Sequence, residues 1–188
     1  MMKSHLLAVT ALLCVIAFAE NNIPLKIENG DFETKDKEGK LANWSRTAVQ
    51  CESNPHSGKL CAEQESNKTT WDVIMHTPFL KVKPNTSYRL TVWNRNTFVD
   101  GRAKFGVRCI DAKNSTISVR DKVGYFWRKV ISGRNEWTEY SLDFTTPDDI
   151  RFINYYFQIA EKDGECCWDD ISLIEIQPQA TETKGEMP

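Results

Sequence analysis

Glu165-Cys166-Cys167-Trp168-Asp169-Asp170-Ile171-Ser172-Leu173-Ile174-Glu175-Ile176 reads as a strand with two acidic residues in its middle and apolar residues on both sides. A carboxylate pair inside a half-buried strand is costly unless something neutralises it. One answer is a bound cation, since carboxylate and carbonyl oxygens are the ligands Ca²⁺ prefers. The other is a surface turn carrying Asp170, with Asp169 hydrogen-bonded to backbone. A second acidic stretch, Asn29-Gly30-Asp31-Phe32-Glu33, stands near the other end of the chain. The two are expected to meet, with the first and last strands side by side.

Working back from this strand, the clearest alternation is at residues 88–93. Tyr88, Leu90 and Val92 take one face, and Arg89, Thr91 and Trp93 the other. Phe105, Val107 and Cys109 repeat the pattern, as do Tyr140, Leu142 and Phe144, and then Ile153, Tyr155, Phe157 and Ile159. Period-two patterning of this kind marks half-buried strands. Turn chemistry at Pro84-Asn85, Ser132-Gly133-Arg134-Asn135 and Pro147-Asp148-Asp149 separates them. Residues 26–33 are expected to give a short strand, a turn at Asn29-Gly30 and the start of the next strand, 71–82 two short extended pieces broken at Pro78, and 44–50, 59–64 and 125–131 further short strands. No window sustains a helical repeat. The fold class predicted is all-β, a jelly-roll sandwich of two antiparallel sheets.

The chain begins Met1-Met2-Lys3, followed by an apolar run from Leu6 to Phe18 and the small-x-small Ala17-Phe18-Ala19. This predicts a secretory signal at 1–19, a sandwich domain at 20–176, and a polar, disordered tail at 177–188. The product is expected to be secreted and extracellular, with no membrane insertion. The 24 basic and 26 acidic residues give a net charge of −2, and losing Lys3 makes it −3. That balance, with no basic block, excludes a nucleic-acid binder. Four sequons, at Asn43, Asn67, Asn85 and Asn114, point to a glycoprotein. Asn43 is the weakest acceptor, with a Trp between it and the hydroxyl.

Five cysteines follow the signal: Cys51, Cys61, Cys109, Cys166 and Cys167. In an oxidising compartment most should pair. Cys51 and Cys61 flank a turn-rich segment and could staple two strands. Cys109 would then pair with Cys166 or Cys167. The odd thiol is either buried or left to link two chains. A zinc site is disfavoured, because no C-x-x-C spacing occurs and only three His are present.

Asn29-Gly30-x-Phe32-Glu33, Asn43-Trp44-Ser45, His56-Ser57-Gly58-Lys59, Trp71, Asn85-x-x-Tyr88, Trp137-x-x-Tyr140 and Trp168-Asp169-Asp170-Ile171-Ser172-Leu173 occur in that order. Together they resemble the carbohydrate-binding modules of families four, nine, sixteen and twenty-two, within the galactose-binding-like jelly rolls. The resemblance covers residues 26–176. It implies a structural Ca²⁺ held by Glu33, the Lys59 backbone and Asp169. It also implies a glycan groove on the concave sheet, with Trp71 as a stacking aromatic. Trp93 and Arg108, with Asn154, Tyr156 and Gln158 on the 151–160 strand, are candidates to line it. The chemistry suits a sugar, whose C–H face stacks on an aromatic ring and whose hydroxyls bond to amides and guanidinium groups.

The function expected is a secreted, non-catalytic, lectin-like protein whose partner is a glycan or glycoprotein. The alternative is an extracellular interaction or matrix protein that keeps the sandwich without sugar recognition. An enzyme ranks last. Glycoside hydrolysis needs two carboxylates across one cleft, whereas Asp169 and Asp170 are adjacent and Asp72, Asp100, Glu139 and Glu161 are scattered. No G-x-S-x-G context is present.

Overall fold

Alternation at residues 87–96 decides how the chain is layered. In the computed structural model, which describes residues 22–45, 49–65, 72–97, 102–111, 126–159 and 164–177, these form a ten-residue strand whose alternate residues are buried. The strands in chain order are β1 (Ile23–Leu25), β2 (Val49–Cys51), β3 (Cys61–Glu65), β4 (Asp72–Met75), β5 (Leu80–Lys81) and β6 (Ser87–Asn96). They continue with β7 (Arg102–Asp111), β8 (Phe126–Ser132), β9 (Asn135–Thr145), β10 (Ile150–Ile159) and β11 (Glu165–Glu175). The expected signal, the tail beyond Gln177, Asn67, Trp71 and Asn114 lie outside the described residues.

Two antiparallel sheets result. The first runs β2-β3-β11-β6-β9, with β1 paired to β11, and the second runs β4-β10-β7-β8, with β5 paired to β10. This is the predicted sandwich. The first and last strands do lie together, Ile23 opposite Glu175. The first strand sits at Ile23–Leu25, just ahead of the expected start at Lys26, and Glu28 to Asp31 form the turn expected at Asn29-Gly30, with no named strand following it before Val49 among the described residues. Asn29 takes a positive φ of 54° there, and its side-chain oxygen accepts the Thr34 N–H at 2.7 Å.

The core is the apolar face of each long strand. Tyr88, Leu90 and Val92 of the first sheet meet Phe105, Val107, Ile153, Tyr155 and Phe157 of the second, all fully buried. Each fully buried side chain of this size contributes roughly 1.5–3 kcal/mol. Trp168 stands between the layers, with its ring 4.7 Å from that of Phe157. Its indole N–H donates to Gln64 at 2.8 Å, so the one polar atom of a buried Trp is satisfied inside the core. Trp44 closes the neighbouring end, packed on Phe32 and Phe157. Both tryptophans are structural, as burial habits predict.

Alternation breaks once in β11, where the pairing with β6 shifts between Asp169 and Ser172. Asp170 has a positive φ of 45° at this bulge. A regular strand would aim adjacent side chains at opposite faces. The bulge instead turns Asp170 so that both carboxylates reach the same loop.

Candidate functional site

Two regions contain the residues singled out in the sequence, and they lie on different sheets.

The first is a clasp on the first sheet. The loop between β2 and β3 folds back over the sheet, and the acidic strand holds it there. Asp169, fully buried, accepts the N–H groups of His56 (2.9 Å) and Ser57 (3.2 Å) with one oxygen and that of Asp170 (2.8 Å) with the other. Asp170 accepts from the Ser57 hydroxyl at 2.9 Å and contacts His56 Nδ1 at 2.6 Å. Glu33 Oε1 accepts the N–H groups of Lys59 (2.6 Å) and Leu60 (2.7 Å). Gly58, at a φ of 59°, passes so close that a Cβ there would lie 2.3 Å from Glu33 Oε1. Glycine is therefore required at this position.

Glu33 and Asp169 do reach one loop, as expected, but the donor set does not fit a calcium ion as arranged. Calcium needs oxygens converging on one point. Here five backbone N–H groups point at the two carboxylates, and Lys59 presents its N–H to Glu33. Amide dipoles hold the anions, which is the hydrogen-bonded reading of the acidic strand. Burial still pushes the Asp169 carboxyl up to about 6, against the downward pull of the Ser57, Asp170 and His56 N–H groups.

The same loop closes over Trp93. The His56 ring stacks on the Trp93 indole, with centroids 3.7 Å apart and planes 16° apart. Trp137 meets His56 edge-on, and its indole N–H donates to the Asn54 carbonyl at 2.9 Å. Arg95 lies over Trp137, 5.7 Å from its centroid. Trp93 is thus removed from the expected groove. It sits on the opposite sheet from Arg108, and its own loop occupies one ring face.

Beneath this loop is a second, smaller core of Cys51, Cys61 and Cys167, with Trp137 packed on it. Cys51 and Cys61 are direct cross-strand partners, as their spacing suggested. Cys167 joins them, all three sulfurs lying within 4.8 Å of one another. All five cysteines are buried free thiols in this structure, and Cys109 and Cys166 belong to the main core instead. Cys61 donates to Cys167, which draws the Cys167 thiol down and pushes Cys61 far up. Arg95 Nη2, 3.2 Å from Cys167 Sγ, acts in the same downward direction on Cys167. Two sequons lie within the described residues: Asn85 is exposed at a turn, while Asn43 is half-buried and donates to Glu28 at 3.3 Å.

The second region is a groove on the outer face of the second sheet. Its inward residues make the core, so Asn154, Tyr156 and Gln158 of β10 must face outward with Arg108 of β7. They line a hollow of about 160 Å³ together with Val73 and Met75 of β4. Four of the six predicted contacts are therefore brought together: Arg108, Asn154, Tyr156 and Gln158. The cross-strand register places Met75, Tyr156, Gly106 and Arg128 in one row and Val73, Gln158, Lys104 and Val130 in the next. Gly106, which has no side chain, stands beside Tyr156 in its row and is itself buried. Sequence reading did not name Val73, Met75 or Arg128. Alternation about the core residues Ile74 and Ile131 was the available signal, but short strands carry it weakly.

Two polar atoms of the groove are buried without a hydrogen-bond partner among the described residues, Asn154 Oδ1 and Arg108 Nε. Asn154 is only 2% exposed, and its amide nitrogen donates to the His76 carbonyl. A buried polar atom left unsatisfied costs about 1–3 kcal/mol, so an acceptor and a donor await partners here. Burial pushes the Tyr156 phenol up to about 12, with the Arg128 guanidinium pulling it the other way. Two larger hollows exist, of about 540 and 680 Å³, around Asn29 and around Gly58. They are folds between polar loops and lack an aromatic wall.

Comparison with known proteins agrees with this geometry. The family described as "Carbohydrate binding domain" matches residues 26–164. The structure is similar to a family 16 carbohydrate-binding module-2 (18% identity, TM-score 0.55, 77% of this chain and 99% of that one). It is also similar to the CBM22-1 xylan-binding domain of Paenibacillus barcinonensis Xyn10C (13%, 0.55, 79% and 93%). A third similar structure is TmCBM61 in complex with beta-1,4-galactotriose (13%, 0.56, 79% and 97%). No curated protein sequence matches. The family match spans well over half of the residues, and the sandwich is the one these modules share, so the chain belongs to the carbohydrate-binding domain family.

Proposed function

We propose that this is a secreted, non-catalytic protein that holds a glycan in the groove between β4, β10 and β7. One observation carries the reading. Outward aromatic, amide and guanidinium groups converge on a hollow with two buried polar atoms still unsatisfied among the described residues. Tyr156 and Met75 offer surface to the C–H face of a sugar ring, Asn154 Oδ1 accepts from a hydroxyl, and Arg108 and Gln158 donate. The xylan-binding domain and the galactotriose complex among similar structures support a saccharide as the ligand class. A non-catalytic role is supported by the acidic pair, because Asp169 and Asp170 are tied to the β2–β3 loop on the other sheet. Secretion rests on the apolar leader at 1–19 and the sequons.

The test is a glycan array with the glycosylated protein, repeated with Gln158→Ala. Binding should weaken about tenfold for the variant, the size of one lost hydrogen bond to a ligand, while the Tm stays within about 2 °C. If the intact protein binds no glycan at millimolar concentration, the interaction-protein reading replaces this one.

A further inference from the structure

Among the described side chains, the charged groups on the outer face of β7 and β8 are cations. On β7, Arg102, Lys104 and Arg108 alternate with the core residues Ala103, Phe105 and Val107. On β8, Arg128 lies opposite Gly106 and so shares the row of Tyr156. The register sets Lys104 beside Gln158 and Arg108 beside Asn154. Among the described side chains, no Asp or Glu takes an outward position on β4, β7, β8 or β10. The chain as a whole is net acidic, so this concentration runs against its composition.

The cations also act on one another. Burial, and after it the charges of Arg128 and Arg102, hold the Lys104 ammonium below the ordinary lysine range. Of these groups it is Arg108 that keeps a buried donor, its Nε, without a hydrogen-bond partner among the described residues, and a charged donor of this kind bonds most strongly to an anionic acceptor. On the first sheet, Arg89 forms a two-point bond with Asp143, at 2.7 and 2.8 Å, the geometry by which a guanidinium takes a carboxylate.

We propose that the groove's ligand is an acidic glycan, a saccharide whose carboxylate or sulfate is bound by Arg108 and Arg128 while Tyr156, Asn154 and Gln158 take the ring and its hydroxyls. This rests on the groove being the glycan site and names the class of glycan it takes. A guanidinium presents paired N–H donors that match both anions, and its charge strengthens each bond. The two guanidinium groups stand on adjacent strands in neighbouring rows, Arg128 in the row of Tyr156 and Arg108 in the row of Asn154, so an acidic substituent and the sugar ring that carries it would span both rows.

The intact glycosylated protein, wild type and Arg128→Gln, is titrated with four probes: a neutral oligosaccharide, the matching uronic-acid oligosaccharide, a sulfated oligosaccharide, and polyphosphate as a sugar-free polyanion. Arg128 is exposed, so its replacement leaves the core intact. The wild type should bind one acidic sugar at least tenfold more tightly than the neutral one. That preference should shrink in high salt and disappear in Arg128→Gln. The uronate and sulfate arms decide which acid is read. Equal binding of neutral and acidic sugars, or a preference that survives Arg128→Gln, overturns the acidic-ligand proposal and leaves the groove as a glycan site. Polyphosphate binding as tight as the acidic sugar also overturns it, as attraction of charge alone. Binding of no probe overturns both.

Discussion

The two outer faces of the sandwich solve opposite problems. On the first sheet, the β2–β3 loop lies over the surface, and every notable side chain there has an internal partner: Asp169 and Asp170 with the loop, His56 with Trp93, Trp137 with Asn54, Arg89 with Asp143. On the second, a tyrosine, two amides and one arginine line an open hollow, with an acceptor and a donor still waiting among the described residues. Composition does not separate them, since both carry Trp or Tyr, Asn or Gln, and Arg. What differs is whether a loop of the same chain has already taken the site a ligand would take. Internal satisfaction gives stability, and deferred satisfaction gives binding.

Three measurements test that contrast. The largest effect is expected on the clasp. Asp169→Ala removes the acceptor of three N–H groups and should destabilise the protein by about 3 kcal/mol in urea unfolding. Arg128→Gln on the open face should cost under about 0.5 kcal/mol. Equal costs would erase the distinction between the two faces.

A pH scan sharpens the same point. The Asp169 carboxyl stands at about 6 in the folded protein and near 3.8 as an ordinary Asp, so the native state binds its proton more readily than the unfolded one. Stability from this group is therefore fully present below pH ~4 and declines as pH rises to about 6, by up to about 3 kcal/mol. Burial also holds the His76 imidazole low, and that group titrates in both proteins, so the difference in stability between wild type and Asp169→Asn, measured from pH 4 to 7, isolates the Asp169 slope. A difference of the opposite sign would mean that the Asp169 carboxyl is held below its ordinary value instead of above it.

The smallest effect is expected from calcium. Amide groups already hold Glu33 and Asp169, so adding a chelator or millimolar Ca²⁺ should move the Tm by less than about 1 °C. A larger rise with Ca²⁺ would show that the ion remodels the loop and binds only the native state.

Periodicity in the sequence was enough for the architecture. A period of two in β6, β7, β9 and β10 fixes which side chains enter the core, because adjacent side chains of a strand must point to opposite faces. Trp44 and Trp168 as core residues, the meeting of Glu33 and Asp169 at one loop, and the outward set of Arg108, Asn154, Tyr156 and Gln158 follow from that rule and the motif order. Tertiary structure alone decided three matters. It put Trp93 on the covered sheet, since sequence gives a strand's faces but not which sheet it joins. It turned Asp170 at a bulge, which a one-residue shift in pairing hides from any periodic reading. It brought Cys167 to Cys51 and Cys61 and gathered the cations of β7 and β8, because cross-strand neighbours are set by register and not by distance along the chain.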